Sequence, residues 1–291
     1  MIGIIGAMDE EVEQIVAVMD IKKEETKACM TFKAGILAGK DVVIVRSGIG
    51  KVNAAVCTQI LVDDFGVDYV INTGIAGSLK AEIDIADIVI SSDVLHHDMD
   101  ATGFGYPLGQ IPRMDTLSFK ADDRLIELAK ESCAKAVTSV GVHVGRVVSG
   151  DQFISDKAVK ERISSEFAGY CTEMEGAAIA QAAYLNKVPF VILRAISDKA
   201  DDSATMDYPT FEKQAIANSV LLLKELLTNE KFKIVTAGNG TQALEQVKKE
   251  NPDLVLLDVM MPDISGFEVA QQMKADPEMA EIPIIFLTAL N

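Results

Sequence analysis

Apolar runs of strand length alternate with helix-periodic stretches along most of this chain. Residues 2–7, IGIIGA, read as a buried strand, and the acidic turn Asp9-Glu10-Glu11 opens the helical pattern VEQIVAVM. TFKAGILAGKDVVIVR alternates as a hairpin does, with its turn at Gly39-Lys40-Asp41. Ser47-Gly48-Ile49-Gly50-Lys51 leads into an alanine-rich helix. Tyr69 to Ile71 reads as a strand giving way to the small residues of NTGIAGS. A further strand, IADIVISSDVL, leads into the long loop HHDMDATGFGYPLGQIP. Asp122 to Lys135 is helical, VHVGRVVS is a strand before a Gly-Asp loop that carries Phe153, and a helix covers Asp156 to Phe167. A long amphipathic helix runs from about Thr210 to Leu227, with Phe211, Ile216, Val220, Leu223 and Leu227 on its apolar face.

The organising stretch is Tyr170 to Asp198, YCTEMEGAAIAQAAYLNKVPFVILRAISD. It reads as strand, small-residue helix and strand, and a connection of that length favours a parallel, right-handed crossover. Glu173 and Glu175 follow the first strand and Asp198 ends the second. Ligands of open α/β sheets bind at that edge, so carboxylates distant in sequence are expected to face one pocket. Each also has a plain structural reading, Glu175 and Glu11 as acids favoured at a helix N-terminus and Asp198 as a helix cap. Strand after strand ends in a small or acidic loop, which implies a mixed α/β fold with helices on both faces.

Charge and composition narrow the function. The chain has 291 residues, 49% of them hydrophobic, and a formal net charge of −17. Such a surface repels phosphate backbones and anionic membranes, so neither nucleic acid nor membrane is an expected partner. Cys29, Cys57, Cys133 and Cys171 form no CxxC pair and read as thiols of a reducing compartment. No apolar run reaches the length of a membrane span, and the start MIGIIGAMDEEV lacks a basic n-region, which together point to a cytoplasmic location. His96 and His97 lack the helical i, i+4 spacing of a metal pair and read as ordinary loop histidines. No metal or cofactor is expected.

In order, GAMDEEV, SGIGKVNAA, NTGIAGS, HHDMDATGFGYPLGQIP, VSGDQFI, TEMEGAAIA and RAISDKAD closely resemble bacterial 5′-methylthioadenosine/S-adenosylhomocysteine nucleosidases, from Met1 to about residue 228. The resemblance implies a purine nucleoside phosphorylase-like three-layer αβα domain. It also implies hydrolysis of the N-glycosidic bond of either nucleoside, to adenine and a thioribose, in methionine salvage. Carried over by motif, Asp198 protonates adenine N7 and Glu11 activates water. Glu175 holds the ribose hydroxyls with Met174 against the sugar, Phe153 stacks on adenine, and the backbone of Ile154 reads its edge. Met8, Ile49, Ala101, Phe104, Pro112 and Tyr208 line the sugar and 5′-thio end, some of them from the partner subunit of a homodimer. NTGIAGS departs from the pattern in carrying Ile75 where many members have a small polar residue; activity is expected to survive this. The alternative is a nucleoside phosphorylase of the same fold, for which Arg46 and Arg194 are available to bind the anion.

From Lys231 the chain resembles a response-regulator receiver domain, a flavodoxin-like fold, with Asp258 of LVLLDVMMPD as phospho-acceptor and Thr288 as switch threonine. No strand ending in an acidic Mg²⁺-binding pair precedes it, so phosphorylation at Asp258 is not expected. The expected remnant, 229–291, is βαβαβ, following or sharing the last nucleosidase helix, which marks the chain as a chimera. An open parallel edge is unfavourable. The tail is therefore expected to pair with its own copy, bind a complementary receiver fragment or pack on the first domain. A signalling or assembly module built on this tail is a third reading.

Overall fold

The computed structural model describes residues 1–201, 204–228, 237, 239–250, 252, 255–258, 263–277, 279–280 and 282–287, with the side chains at 204–210, 214, 250, 256, 258 and 285–287 outside that description. The chain divides into two compact units, Met1–Asn229 and Glu230–Asn291. In the first, β1 (Ile2–Gly6), α1 (Asp9–Val16), β2 (Asp20–Lys27), β3 (Met30–Leu37), β4 (Lys40–Arg46), α2 (Lys51–Phe65), β5 (Tyr69–Ser78) and β6 (Ile88–His96) come first. Then follow β7 (Phe119–Lys120), α3 (Asp123–Ala136), β8 (Val142–Ser149), α4 (Lys157–Phe167), β9 (Cys171–Glu173), α5 (Gly176–Asn186), β10 (Phe190–Asp198) and α6 (Ala204–Thr228).

The strands form a sheet in the order β10-β6-β8-β9-β5-β1-β4-β3-β2, with β7 on β6. β10 also pairs with β5, so β5, β10, β6, β8 and β9 close into a ring from which β1, β4, β3 and β2 extend as an open sheet. β1, β4, β5 and β10 run parallel. β6, β8 and β9 run parallel to one another in the opposite sense. α1 and α3 pack on α6, which lies on β10 and β5, while α2 packs on α5, which contacts β6, β8 and β10. These are the helix layers that the alternating pattern predicts.

Three expectations change. β9 and β10 are not the neighbouring parallel strands of a crossover unit. β9 pairs with β5 and β8, and it runs antiparallel to β5, the strand that β10 parallels. Ring closure inserts β5 between them, and both strand ends still reach the same region. NTGIAGS is not a loop, because β5 continues through it to Ser78. Its glycines leave room for side chains from neighbouring elements. DIKKEETK, with too little apolar alternation to read as a strand, forms β2 at the open edge, where charge discourages pairing with another chain. The hairpin turn falls at Ala38-Gly39, both at positive φ (50° and 76°), the conformation of a two-residue turn between antiparallel strands.

Local chemistry fixes the helix ends. Asp122 and Asp156 cap α3 and α4 by accepting the N–H groups of Leu125 at 3.0 Å and Val159 at 2.9 Å. α6 begins at Ala204, before Pro209, rather than near Thr210. Of its side chains, Asn218 donates to Ala86 O at 3.0 Å and Ser219 to Gly74 O at 3.3 Å, which ties the helix to the segment before β6 and to β5. A satellite core of Leu79, Leu95, Val148, Ile154, Ile163, Phe167 and Ala200 clamps α4 beside the ends of β5, β8 and β10.

The second unit contains α7 (Gly240–Glu250), β11 (Val255–Asp258), α8 (Gly266–Ala275) and β12 (Ile284–Leu287), with β11 and β12 parallel. It has its own core, including Val247, Leu257, Val269 and Met273. Asp258 ends β11, and its side chain lies outside the described residues. The first strand expected here and Thr288 also lie outside them.

Candidate active site

The site is built along residues 74–77 of β5. Glu11, in the first turn of α1, is 5% exposed. Its Oε2 accepts the N–H groups of Ala7 at 2.6 Å and Met8 at 3.1 Å, and its Oε1 accepts that of Ile75 at 3.2 Å. Burial pushes its pKa up, against the pull of Arg194 and these three donors. The side chain fits because residue 74 is glycine, where a Cβ would stand 2.6 Å from Glu11 Oε1. Ile75 thus meets the site through its backbone.

Asp198 closes the other end of the segment, in register with Gly77, whose absent Cβ would lie 2.7 Å from Asp198 Oδ1. The carboxyl is 2% exposed. Ala200 N–H donates to Oδ1 at 2.7 Å and the Ser197 hydroxyl to Oδ2 at 2.8 Å. That hydroxyl has a second acceptor, Ala76 O at 3.4 Å, so it can turn to receive a proton held by Asp198.

Between them lies an ion pair that motif reading missed. Arg194, 2% exposed, donates from Nη2 to Glu173 Oε2 at 2.5 Å and to Asn72 Oδ1, and from Nη1 to Leu193 O at 3.0 Å. Glu173 also accepts from the Ser149 hydroxyl and from the N–H groups of Glu175 at 3.0 Å and Gly176 at 2.8 Å. Burial acts to raise Glu173, but Arg194 and these donors outweigh it and hold the carboxyl below its usual range. An arginine inside the apolar run FVILRAIS was the available signal, since a buried guanidinium requires a partner.

Glu175, two residues on, accepts the Gly50 N–H at 2.8 Å on its Oε1. Burial first, and then the neighbouring Glu173 charge, push it up to about 8. Met174 is half-buried beside it. Phe153 and Ile154 face the same place from the loop after β8. A cavity of about 30 Å³ is lined by Phe153, Ile154, Glu173, Met174, Gly77 and Asp198. It adjoins an open groove of about 360 Å³ along Gln152 to Asp156 and Val159.

Other motif residues lie farther out. Met8 is half-buried at the start of α1, and Ile49, 54% exposed, precedes Gly50. Ala101 is buried, whereas Phe104, 86% exposed, and Pro112 lie exposed on the loop after β6. Tyr208 lies in α6, with its side chain outside the described residues. His96 and His97 are buried rather than loop-exposed, because β6 extends through His96. Among the described residues, no group of three or more His, Cys, Asp or Glu is arranged to hold a metal.

A ring-closed α/β sheet with acidic side chains at both ends of a glycine-lined strand segment defines a glycosidic-bond enzyme of the phosphorylase superfamily, whose family profile matches residues 1–228. A nucleosidase from Marinomonas sp. (strain MWYL1) is 44% identical over 227 residues, 78% of this chain and 97% of the relative. The methylthioadenosine/adenosylhomocysteine nucleosidase of Neisseria meningitidis, solved with methylthio-immucillin-A, is 40% identical with a TM-score of 0.76, covering 79% of this chain and 99% of that one. That of Colwellia psychrerythraea, solved with adenine, gives 40% and 0.76 over 81% and 97%. The chain belongs to the 5′-methylthioadenosine/S-adenosylhomocysteine nucleosidase family. Residues 217–291 match the response regulator receiver domain, overlapping the last turns of α6.

Proposed function

We propose that this protein hydrolyses the N-glycosidic bond of 5′-methylthioadenosine and S-adenosylhomocysteine, releasing adenine and the corresponding thioribose. The observation that carries the reading is the placement of Glu11 and Asp198 at opposite ends of residues 74–77. At ~3.3 Å per strand residue this separates them by roughly 7–10 Å, room for a purine riboside between them.

Adenine leaves poorly as an anion, so its ring takes a proton as the bond breaks. Asp198 is the donor in this reading, with Ser197 and Ala200 orienting its carboxyl. Glu11 takes a proton from the water that attacks the anomeric carbon, and Glu175 holds the ribose hydroxyls. The sugar becomes oxocarbenium-like, and the carboxylates of Glu11 and Glu173 stabilise its positive charge. Phe153 stacks on the base, and Ile154, anchored in the satellite core, presents its backbone to it. Each proton-transfer role is worth roughly 10²- to 10⁴-fold.

Hydrolysis is favoured over phosphorolysis by the state of the two arginines. Arg194 is committed to Glu173 and Asn72, and Arg46 pairs with Asp9 at 3.0 Å. An incoming phosphate would meet Glu11 and Glu175 instead. Exposed Ile49, Val52, Val56, Phe104, Tyr184 and Leu185 supply the apolar surface for a homodimer through this domain. Sedimentation of the protein as a monomer at micromolar concentration would remove that part of the reading.

The test is adenine release from both nucleosides in phosphate-free buffer. The full chain turns over, and Glu11→Gln and Asp198→Asn each lose at least about 10²-fold in kcat with the fold retained. No release from the full chain, or a variant at near-normal rate, overturns the corresponding assignment.

A further inference from the structure

Three loops leaving different strands meet in an ionic knot beside the reacting groups. Lys51, at the start of α2, donates from Nζ to both oxygens of Asp98 at 2.6 and 2.7 Å. Asp98, just after β6, also accepts the N–H of Asp151 at 3.1 Å. Asp151, just after β8, returns the contact by accepting the N–H of Lys51 at 2.9 Å. The contacts form a closed cycle. Its ion pair is shielded, with the Lys51 and Asp98 side chains 22% and 21% exposed, unlike surface pairs that contribute little. His97 lies beneath it, buried, with no hydrogen-bond partner for Nε2 among the described residues. Its ring is so close under Gly150 that a Cβ there would come within 2.5 Å.

Two of the three loops tied by this knot carry groups of the site. Gly50 precedes Lys51 with φ of 97°, the conformation that aims its N–H at Glu175 Oε1. A Cβ at Gly50 would stand 3.3 Å from Asp151 Oδ1, so the loops also touch there. Phe153 follows Asp151 by two residues.

We infer that Lys51, Asp98 and Asp151 are positioning residues, a latch that holds the Gly50 N–H on Glu175 and the Phe153 loop in register so that sugar and base are gripped together. The inference rests on the proposed function for its kinetic readout, not for its structural one. The latch touches none of the reacting atoms and acts on groups that grip substrate and transition state alike. Its loss therefore raises KM more than it lowers kcat.

The experiment uses the full chain with Lys51→Met, Asp98→Asn, the double variant and Lys51→Arg. Lys120→Met, which removes the same charge from an exposed pair with Asp123, is the control. For methylthioadenosine, each single variant is expected to raise KM about ten-fold with kcat within about three-fold. The double variant is no worse than either single one, since both break one cycle. Lys51→Arg keeps most of the affinity, and Lys120→Met leaves KM unchanged. Hydrogen exchange of the peptide carrying Gly50 is faster in both single variants than in the parent. An unchanged KM, additive losses, a fall in kcat alone or unchanged exchange at Gly50 each overturn the latch. If the parent chain releases no adenine, the proposed function fails, and the exchange measurement still decides the latch.

Discussion

Replacing Arg194 by methionine isolates the electrostatic centre of the site. The substitution keeps an unbranched apolar side chain in the core and removes the cation from Glu173 and Glu11. Breaking a buried ion pair from one side costs about 3–5 kcal/mol, because the remaining charge is stranded. Ser149 and the N–H groups of Glu175 and Gly176 still serve Glu173, which places the expected loss near the lower figure. At roughly 2–4 °C per kcal/mol for a domain of this size, the melting transition of the first unit falls by about 6–12 °C. The loss depends on pH. In the parent, the depressed Glu173 gives stability that is present above its unfolded value and lost as pH falls through the lower folded value. In the variant that carboxyl is raised, so stability is lost as pH rises above the unfolded value. The gap between the two proteins is therefore smallest at acid pH, below the depressed folded value of Glu173, and grows from there toward pH 8. Scanning calorimetry across that range measures it. Arg194→Met/Glu173→Gln, which removes both charges, recovers part of the loss. A pH-independent gap, or none at pH 8, would refute the reasoning.

Glu175→Gln removes a carboxyl whose folded pKa, about 8, lies above its starting 4.5. The stability that this group contributes is complete below 4.5 and lost as pH rises through 8, so the variant's melting temperature relative to the parent's rises between pH 5 and pH 9. Gly74→Ala drives a methyl group to 2.6 Å from Glu11 Oε1 and 3.2 Å from Arg194 Nη1. Its adenine release falls by about 10²-fold or more, with a native circular dichroism spectrum. Asp122→Ala removes the α3 cap and lowers unfolding free energy by about 1 kcal/mol in urea titration, with kcat unchanged. Burial pushes the Cys57 and Cys133 thiols up to about 12 and Cys171 higher still, whereas Cys29 is exposed. Iodoacetamide at pH 8 therefore modifies Cys29 alone in the native protein and all the cysteines after denaturation, as read by mass spectrometry.

Carboxylates at element ends were legible because strand length and acidic punctuation are local properties. Glu11 and Asp198 do converge on one strand, although the route differs from the expected crossover. Pairing between distant strands is not written in local pattern. That β10 joins both β5 and β6, closing the ring, follows from the fit of whole faces. NTGIAGS read as a loop because glycine is common in loops, yet in β5 Gly74 and Gly77 are the spaces that Glu11 and Asp198 fill. Arg194 was visible as an arginine in an apolar strand, but its commitment to Glu173 rather than to an anion depends on β9 lying close by. β2 was missed because an edge strand carries charge where interior strands carry valine and isoleucine.

The most direct test of the central claim follows oxygen rather than rate. The full chain is given methylthioadenosine in H₂¹⁸O buffered with phosphate, and the sugar product is analysed by mass spectrometry before its anomeric oxygen exchanges. Hydrolysis assisted by Glu11 and Asp198 predicts free methylthioribose carrying one ¹⁸O, at a rate independent of phosphate. A sugar 1-phosphate, or a rate that rises with phosphate, would contradict it.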